Sequence, residues 1–306
     1  GCQQDACEFT ATDWVGSNLH VLGVSKRVVR AEGLQNSTFQ DITADVQDSA
    51  GQMHWDDWPL LFHFTGPSQN VIVERAIARN PVQRTGKAYD NGDCYTSEQY
   101  TNNLTFRSAH CLEAFDAAFD LKGGPHFIED AIALRIGNRA FRVWDGPVYI
   151  KNALAAYDGD GEHTSSALGS NAAIWVRGEA VVEDFTSLSS TQPFILAESG
   201  QGCGSLMLSD SLVLLETQRS YQTDEARTLE PKLECRADNP NFVAATQNNV
   251  SYRNENSFAQ TSLYNNVLAL SGSPGRNALS QPARLLSEEP TGFMWPDNLL
   301  PDWLTP

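Results

Sequence analysis

The sequence predicts an all-β chain wound as a solenoid. Three observations lead there: a short strand phrase that recurs at a near-constant spacing, a period of two inside each copy, and many turn-forming residues. The phrase is plainest in Phe119-Asp120-Leu121-Lys122-Gly123-Gly124-Pro125 and Phe141-Arg142-Val143-Trp144-Asp145-Gly146-Pro147, with Phe62-His63-Phe64-Thr65-Gly66-Pro67 upstream and Ile174-Trp175-Val176-Arg177-Gly178 downstream. Apolar and variable residues alternate until a glycine ends the run, as in a strand with one buried face. The 306 residues include 22 Gly and 14 Pro, and 41% are hydrophobic, enough for a core broken by frequent turns.

Each copy leads into a second strand: Val71–Glu74, Phe127–Asp130, Val148–Lys151 and Val181–Asp184. A small apolar segment such as Ala76-Ile77-Ala78, Ala131-Ile132-Ala133 or Ala153-Leu154-Ala155 then follows. Looser copies begin at Arg27, Tyr95, Phe194 and Phe242, Phe194 being matched to Ile174. A period of roughly 20 to 22 residues with occasional insertions is what stacked coils produce, and about eight coils are expected. Leucine-rich repeats share the period but not the β-branched and aromatic strands. A two-sheet sandwich would not repeat one phrase at one coil length. Polar insertions are expected at Asp41–Trp58, Asn80–Asp93, Tyr157–Asn171, Gly200–Ser205 and Gln218–Pro240, projecting as loops. No internal domain boundary is expected. Residues 1–26 read as an N-terminal segment or cap, 27–270 as coils, and 271–306 as a Pro-rich tail packed on the stack.

The 38 acidic and 21 basic residues give a formal net charge of −17, against the basic footprint of nucleic-acid and anionic-membrane binders. A polyanionic substrate would need local cations or a metal. Of the 15 possible pairings of six cysteines, sequence neighbours give Cys2–Cys7, Cys94–Cys111 and Cys203–Cys235. Such a framework points to an exported protein, secreted or at the cell surface, with Cys2 open to a lipoprotein role. No apolar run is long enough to span a bilayer, and a monomer is expected.

With Phe119 and Leu121 inward, Asp120 and Lys122 point outward, and stacking at about 4.8 Å extends this into a ladder. Its pairs are His63 and Thr65, Thr96 and Glu98, Asp120 and Lys122, Arg142 and Trp144, Trp175 and Arg177. Tryptophan faces suit sugar rings, and Arg or Lys suits carboxylates on them. The plainer account is a register-setting set of solvated ion pairs, which leaves two exposed tryptophans without a reason. Asp93 and Asp116, at the turns entering this face, join Glu98 and Asp120 as hard oxygen donors suited to Ca²⁺.

The stretch from Asn91-Gly92-Asp93 through Phe115-Asp116-Ala117-Ala118-Phe119-Asp120-Leu121-Lys122-Gly123 to Asn138-Arg139-Ala140-Phe141-Arg142-Val143-Trp144 resembles the coils of right-handed parallel β-helix proteins of the pectate lyase type. The nearest likeness is to family 9 polysaccharide lyases. It covers Arg27 to Leu270 as architecture but only Asn91 to Trp144 as motif. The resemblance implies calcium held by Asp93, Asp116 and Asp120, with Lys122 as base and Arg142 beside it. His63, Arg139, Trp144, Trp175 and Arg177 would hold the sugar. The family, however, has two adjacent aspartates and a base further along the stack.

The implied reaction is β-elimination on an acidic, uronic acid-containing polysaccharide. The C5 proton is removed and the C4–oxygen bond broken, which needs a base and a cation on the carboxylate. A lysine base needs a lowered pKa, expected here from calcium or Arg142. The alternatives are an inverting glycoside hydrolase using Asp116 and Asp120, and a carbohydrate-binding or adhesive surface without catalysis.

Overall fold

The computed structural model describes residues 5–9, 12–84, 91–156 and 172–189, together with seven short strands further along the chain. Every described element is a strand, and every pairing between named strands is parallel. In chain order the strands are β1 (Asp5–Phe9), β2 (Val15–Leu22), β3 (Arg27–Glu32), β4 (Gln35–Asp45), β5 (Leu60–Thr65), β6 (Gln69–Arg79) and β7 (Asp93–Ser97). They continue as β8 (Asn102–Leu112), β9 (Ala117–Leu121), β10 (His126–Leu134), β11 (Arg139–Val143), β12 (Val148–Ala156), β13 (Ala172–Val176) and β14 (Glu179–Ser189). The short ones are β15 (Ile195–Ala197), β16 (Ser205–Ser209), β17 (Leu212–Leu215), β18 (Lys232–Leu233), β19 (Ala244–Gln247), β20 (Ser251–Asn254) and β21 (Leu268–Ala269).

Successive strands alternate between two sheets. Sheet A runs β1-β3-β5-β7-β9-β11-β13-β15-β18, and sheet B runs β2-β4-β6-β8-β10-β12-β14-β17-β20-β21, with β16 and β19 beside its path. Parallel neighbours require a crossover, and here each crossover passes through a strand of the other sheet. The architecture is compatible with a β-helix.

Stacked aromatic residues hold the core. Phe62, Tyr95, Phe119 and Phe141 occupy one register position of sheet A, with neighbouring ring centroids 5.1, 4.9 and 5.1 Å apart. That spacing is the interstrand distance, so each ring meets its neighbour as the strands pair. The long strands of sheet B share a bend: Asp41, Arg75, Ser108, Asp130, Asn152 and Asp184 lie in one register row and have φ between 48° and 55°. Asp and Asn tolerate this left-handed conformation. Side chains also bridge the row, as in Asn152 Nδ2 donating to Asp130 Oδ1 at 2.7 Å.

Several boundaries differ from expectation. β1 and β2 pair in register with β3 and β4, so the repeat reaches upstream of Arg27. Asp41–Asp45 belongs to β4, so that insertion begins only after the strand. Ile174 pairs with Ile195, one position beyond the expected Phe194. Ala244–Gln247 pairs with β16 in sheet B rather than adding to sheet A. The Cys94–Cys111 disulfide is present. Cys2, Cys203, Cys235 and the side chain of Cys7 lie outside the described residues, as do the insertion Tyr157–Asn171 and the tail 271–306.

Candidate functional site on the outer face of sheet A

The pairing register of sheet A aligns the outward residues into rows. One row carries Arg30, His63, Thr96, Asp120, Arg142 and Trp175. The next carries Thr65, Glu98, Lys122, Trp144 and Arg177, whose backbone amides continue the same ladder. The five expected pairs therefore sit on adjacent strands in the expected order.

A third row, which simple alternation misses, contains Leu60, Asp93, Ala117, Arg139 and Ala172. It exists because sheet A strands bend near their start. Both Ala118 and Phe119 join the core, as do Ala140 and Phe141, and Ala173 and Ile174. The residue before each such pair is thereby turned outward, against a strict period of two.

Asp116 anchors the centre. Asn138 Nδ2 donates to its Oδ1 at 2.9 Å, and the guanidiniums of Arg139 and Arg142 reach its two oxygens at 3.3 Å each. Asp93 Oδ1 accepts the Ala117 amide at 2.9 Å. Asp120 accepts a hydrogen bond from Trp144 Nε1 and lies 3.4 Å from Lys122 Nζ and 3.6 Å from Arg142 Nε. Lys122 also donates to Glu98 at 3.0 Å. Glu98 Oε1 lies 3.6 Å from His63 Nε2, a separation too long for a hydrogen bond. At its other nitrogen, Nδ1, His63 accepts from Arg27 Nε at 3.0 Å.

Titration follows from these contacts. Burial, reinforced by repulsion from Asp116 and Asp120, pushes the Asp93 carboxyl well above its ordinary range, favouring the neutral acid. Burial also raises Asp116, though Arg142, Arg139 and Asn138 oppose it. For Lys122, burial works downward but the charges of Asp120 and Glu98 outweigh it, and its pKa is raised. The lowered value expected of a lysine base is not found, because the lysine sits between two carboxylates. Glu98 is pushed up by burial, but His63 and Lys122 outweigh that and lower it.

The exposure of the ladder also departs from expectation. Trp175 points outward yet is fully buried, packed at 62° against Trp144 with centroids 4.6 Å apart. His63, Asp120 and Arg139 are likewise buried. The accessible line is the row of Glu98, Lys122, Trp144 and Arg177. Arg142 and Arg177 lie 4.3 and 5.2 Å from the Trp144 ring centroid, and Lys122 lies 5.9 Å away. The exposed tryptophans of the loop entering β5 are instead Trp55 and Trp58, within a segment expected only to be a polar insertion. Asn138 and Arg27, which hold Asp116 and His63, were also missed as site residues. Their signal was a polar residue at the mouth of an aligned strand.

The four expected metal ligands do not fit calcium. Among the described residues no three His, Cys, Asp or Glu side chains converge on a common point. Asp116 is turned to two guanidiniums and Glu98 to Lys122, so protein cations occupy the places a Ca²⁺ would neutralise.

No family model matches the chain, and no curated protein or solved structure matches it. The chemistry of this face rests on its own geometry.

Proposed function

We propose that the chain is an exported right-handed parallel β-helix protein that holds an acidic polysaccharide against the outer face of sheet A. The observation behind this reading is the row Lys122, Trp144 and Arg177, with Arg142 beneath it. An indole offers a sugar-stacking surface while three cations lie within 5.9 Å of its ring centroid. Among the described residues no carboxylate forms an ion pair with Arg177, so its charge is available to a ligand. These local cations counter the repulsion that a net charge of −17 imposes on a polyanion. The Cys94–Cys111 disulfide favours an oxidising compartment, secreted or at the cell surface.

Polysaccharide lyase activity by β-elimination is the second reading, favoured by Lys122 and Arg142 flanking Asp120. Two cations at that spot could neutralise a uronate carboxylate and acidify its C5 proton. In this arrangement Lys122 is an ammonium, so it serves as neutraliser, and the C5 proton needs another acceptor. The hydrolase reading has less support, since Asp116 and Asp120 are both taken up by Arg and Trp donors.

The test is a panel of polygalacturonate, alginate and hyaluronate beside neutral dextran, followed by calorimetry and by ultraviolet absorbance of the unsaturated product. Salt-sensitive binding of an acidic member, weakened about tenfold by Trp144→Ala and by Arg177→Ala, is expected; a tenfold change is about 1.4 kcal/mol, within the range of a cation–π contact. Absorbance growth would establish the lyase reading. Equal affinity of wild type and both variants for every polymer would overturn the site.

A further inference from the structure

We infer that the outer face of sheet B is a self-complementary interface through which two copies of this chain pair. One outward row runs from Val15 in β2 to Met207 in β16, one residue per strand across eight strands. Its first half is Val15, Thr38, Ile72 and Thr105, and its second half is Phe127, Tyr149, Val181 and Met207. The row is largely apolar: Val15 is 65% exposed, Tyr149 40% and Met207 42%, and the five residues between are half-buried beside their neighbours. Phe127 and Tyr149 stack face to face across adjacent strands, nearly parallel at 11° with centroids 5.2 Å apart, which holds both rings upright on the face. A contiguous apolar stripe of this length on a soluble face marks an interaction surface.

Charge pattern and residue size both select a second copy as the occupant. Two positions along the same strands lies a second outward row, Gln40, Glu74, Arg107, Glu129, Lys151 and Glu183, whose signs alternate from Glu74 onward. Within one chain these charges are already linked, Arg107 to Glu74 and Glu129, and Lys151 to Glu183. A two-fold axis parallel to the strands and midway between β8 and β10 reverses the strand order but keeps each row facing itself. Arg107 then meets the second copy's Glu129, and Glu74 meets its Lys151, so opposite signs oppose. In the apolar row Thr105 meets Phe127, Ile72 meets Tyr149, Thr38 meets Val181 and Val15 meets Met207, a smaller side chain against a larger one each time. An axis through β8 or β10 would oppose like charges, and one between β10 and β12 would set Phe127 against Tyr149, bulk on bulk. Eight strands at about 4.8 Å, with a contact roughly 20 Å wide, give roughly 750 Å² per copy, near the area of a stable interface.

The axis makes a register-specific prediction. Ile72 and Tyr149 lie three strands apart in one chain, about 14 Å, beyond the span of a short thiol cross-linker. Across the two-fold axis they face each other. Facing sheets lie about 10 Å apart, too far for a direct disulfide, so Ile72→Cys/Tyr149→Cys protein treated with a bismaleimide of about 8 Å reach is expected to run as a covalent dimer on a denaturing gel, while each single variant stays at chain mass. Without cross-linking, sedimentation velocity of wild type is expected to give twice the chain mass, and Tyr149→Lys to return it to one chain with unchanged far-ultraviolet circular dichroism and a melting temperature that no longer rises with protein concentration. Wild type at chain mass at all concentrations up to 100 μM would overturn the proposal. So would a dimer that survives Tyr149→Lys, or one in which the double cysteine variant fails to cross-link.

Discussion

Asp93→Asn should abolish the pH dependence that this buried carboxyl imposes on stability. Asp93 is fully buried, and the desolvation of its charge, with repulsion from Asp116 and Asp120, raises its pKa well above 3.8. Above pH 3.8 the unfolded chain has released this proton while the folded chain still holds it. Folding then takes up a proton, and stability falls as pH rises until the folded group itself ionises. Over that window the loss is about 1.4 kcal/mol per pH unit. An asparagine keeps the oxygen that accepts the Ala117 amide and removes the ionisation. The stability of Asp93→Asn minus that of wild type should therefore climb by about 1.4 kcal/mol per unit from pH 4 upward and then level off. Taking the difference cancels the opposite trend of Glu98, whose lowered pKa favours the fold at higher pH. Urea unfolding followed by tryptophan fluorescence at half-unit steps from pH 4 to pH 8 measures it. A flat difference, or one falling with pH, would refute the reasoning.

Two further outcomes concern what holds the face together. Asp116→Ala strands Arg139 and Arg142, and breaking a buried pair costs about 3 kcal/mol even with Asp120 still near Arg142, so the melting temperature should fall by roughly 6 to 10 °C. Asp116→Asn should fall nearly as far, since the lost feature is charge; thermal unfolding that leaves it at the wild-type value would show that the ion pairs do not hold this face. Cys94→Ala/Cys111→Ala opens a cross-link of sequence separation 17, worth about 3 kcal/mol by loop closure. Chemical unfolding of the double variant checks this, and a loss below about 1 kcal/mol would count against the loop-closure account.

The parts of the site legible in the sequence were those governed by strand alternation. His63, Thr96, Asp120, Arg142 and Trp175 fell into one row because each follows a core residue aligned by its aromatic or β-branched side chain. Exposure was not legible. Outward position alone does not make a residue accessible when Trp144 and Trp175 pack over their own strands. Nor was the charge state of Lys122, which depends on Glu98 from the preceding strand as much as on Asp120 beside it.

By itself, then, the sequence determined that the chain is all-β, that it repeats, and which residues face the core, because apolar alternation and glycine turns are local properties of the chain. The Cys94–Cys111 pair, expected only as one pairing of sequence neighbours among 15, is present between consecutive strands β7 and β8. Only the tertiary structure decided that Asp93 and Arg139 share a third row, since the bend that turns two consecutive residues inward at Ala118 and Phe119 carries no sequence period. It also decided that guanidiniums occupy the places expected for calcium. Side chains from β7, β9 and β11 meet only once the strands are stacked, and the charges among them are then settled by distances of 3 to 4 Å that no spacing in the chain encodes.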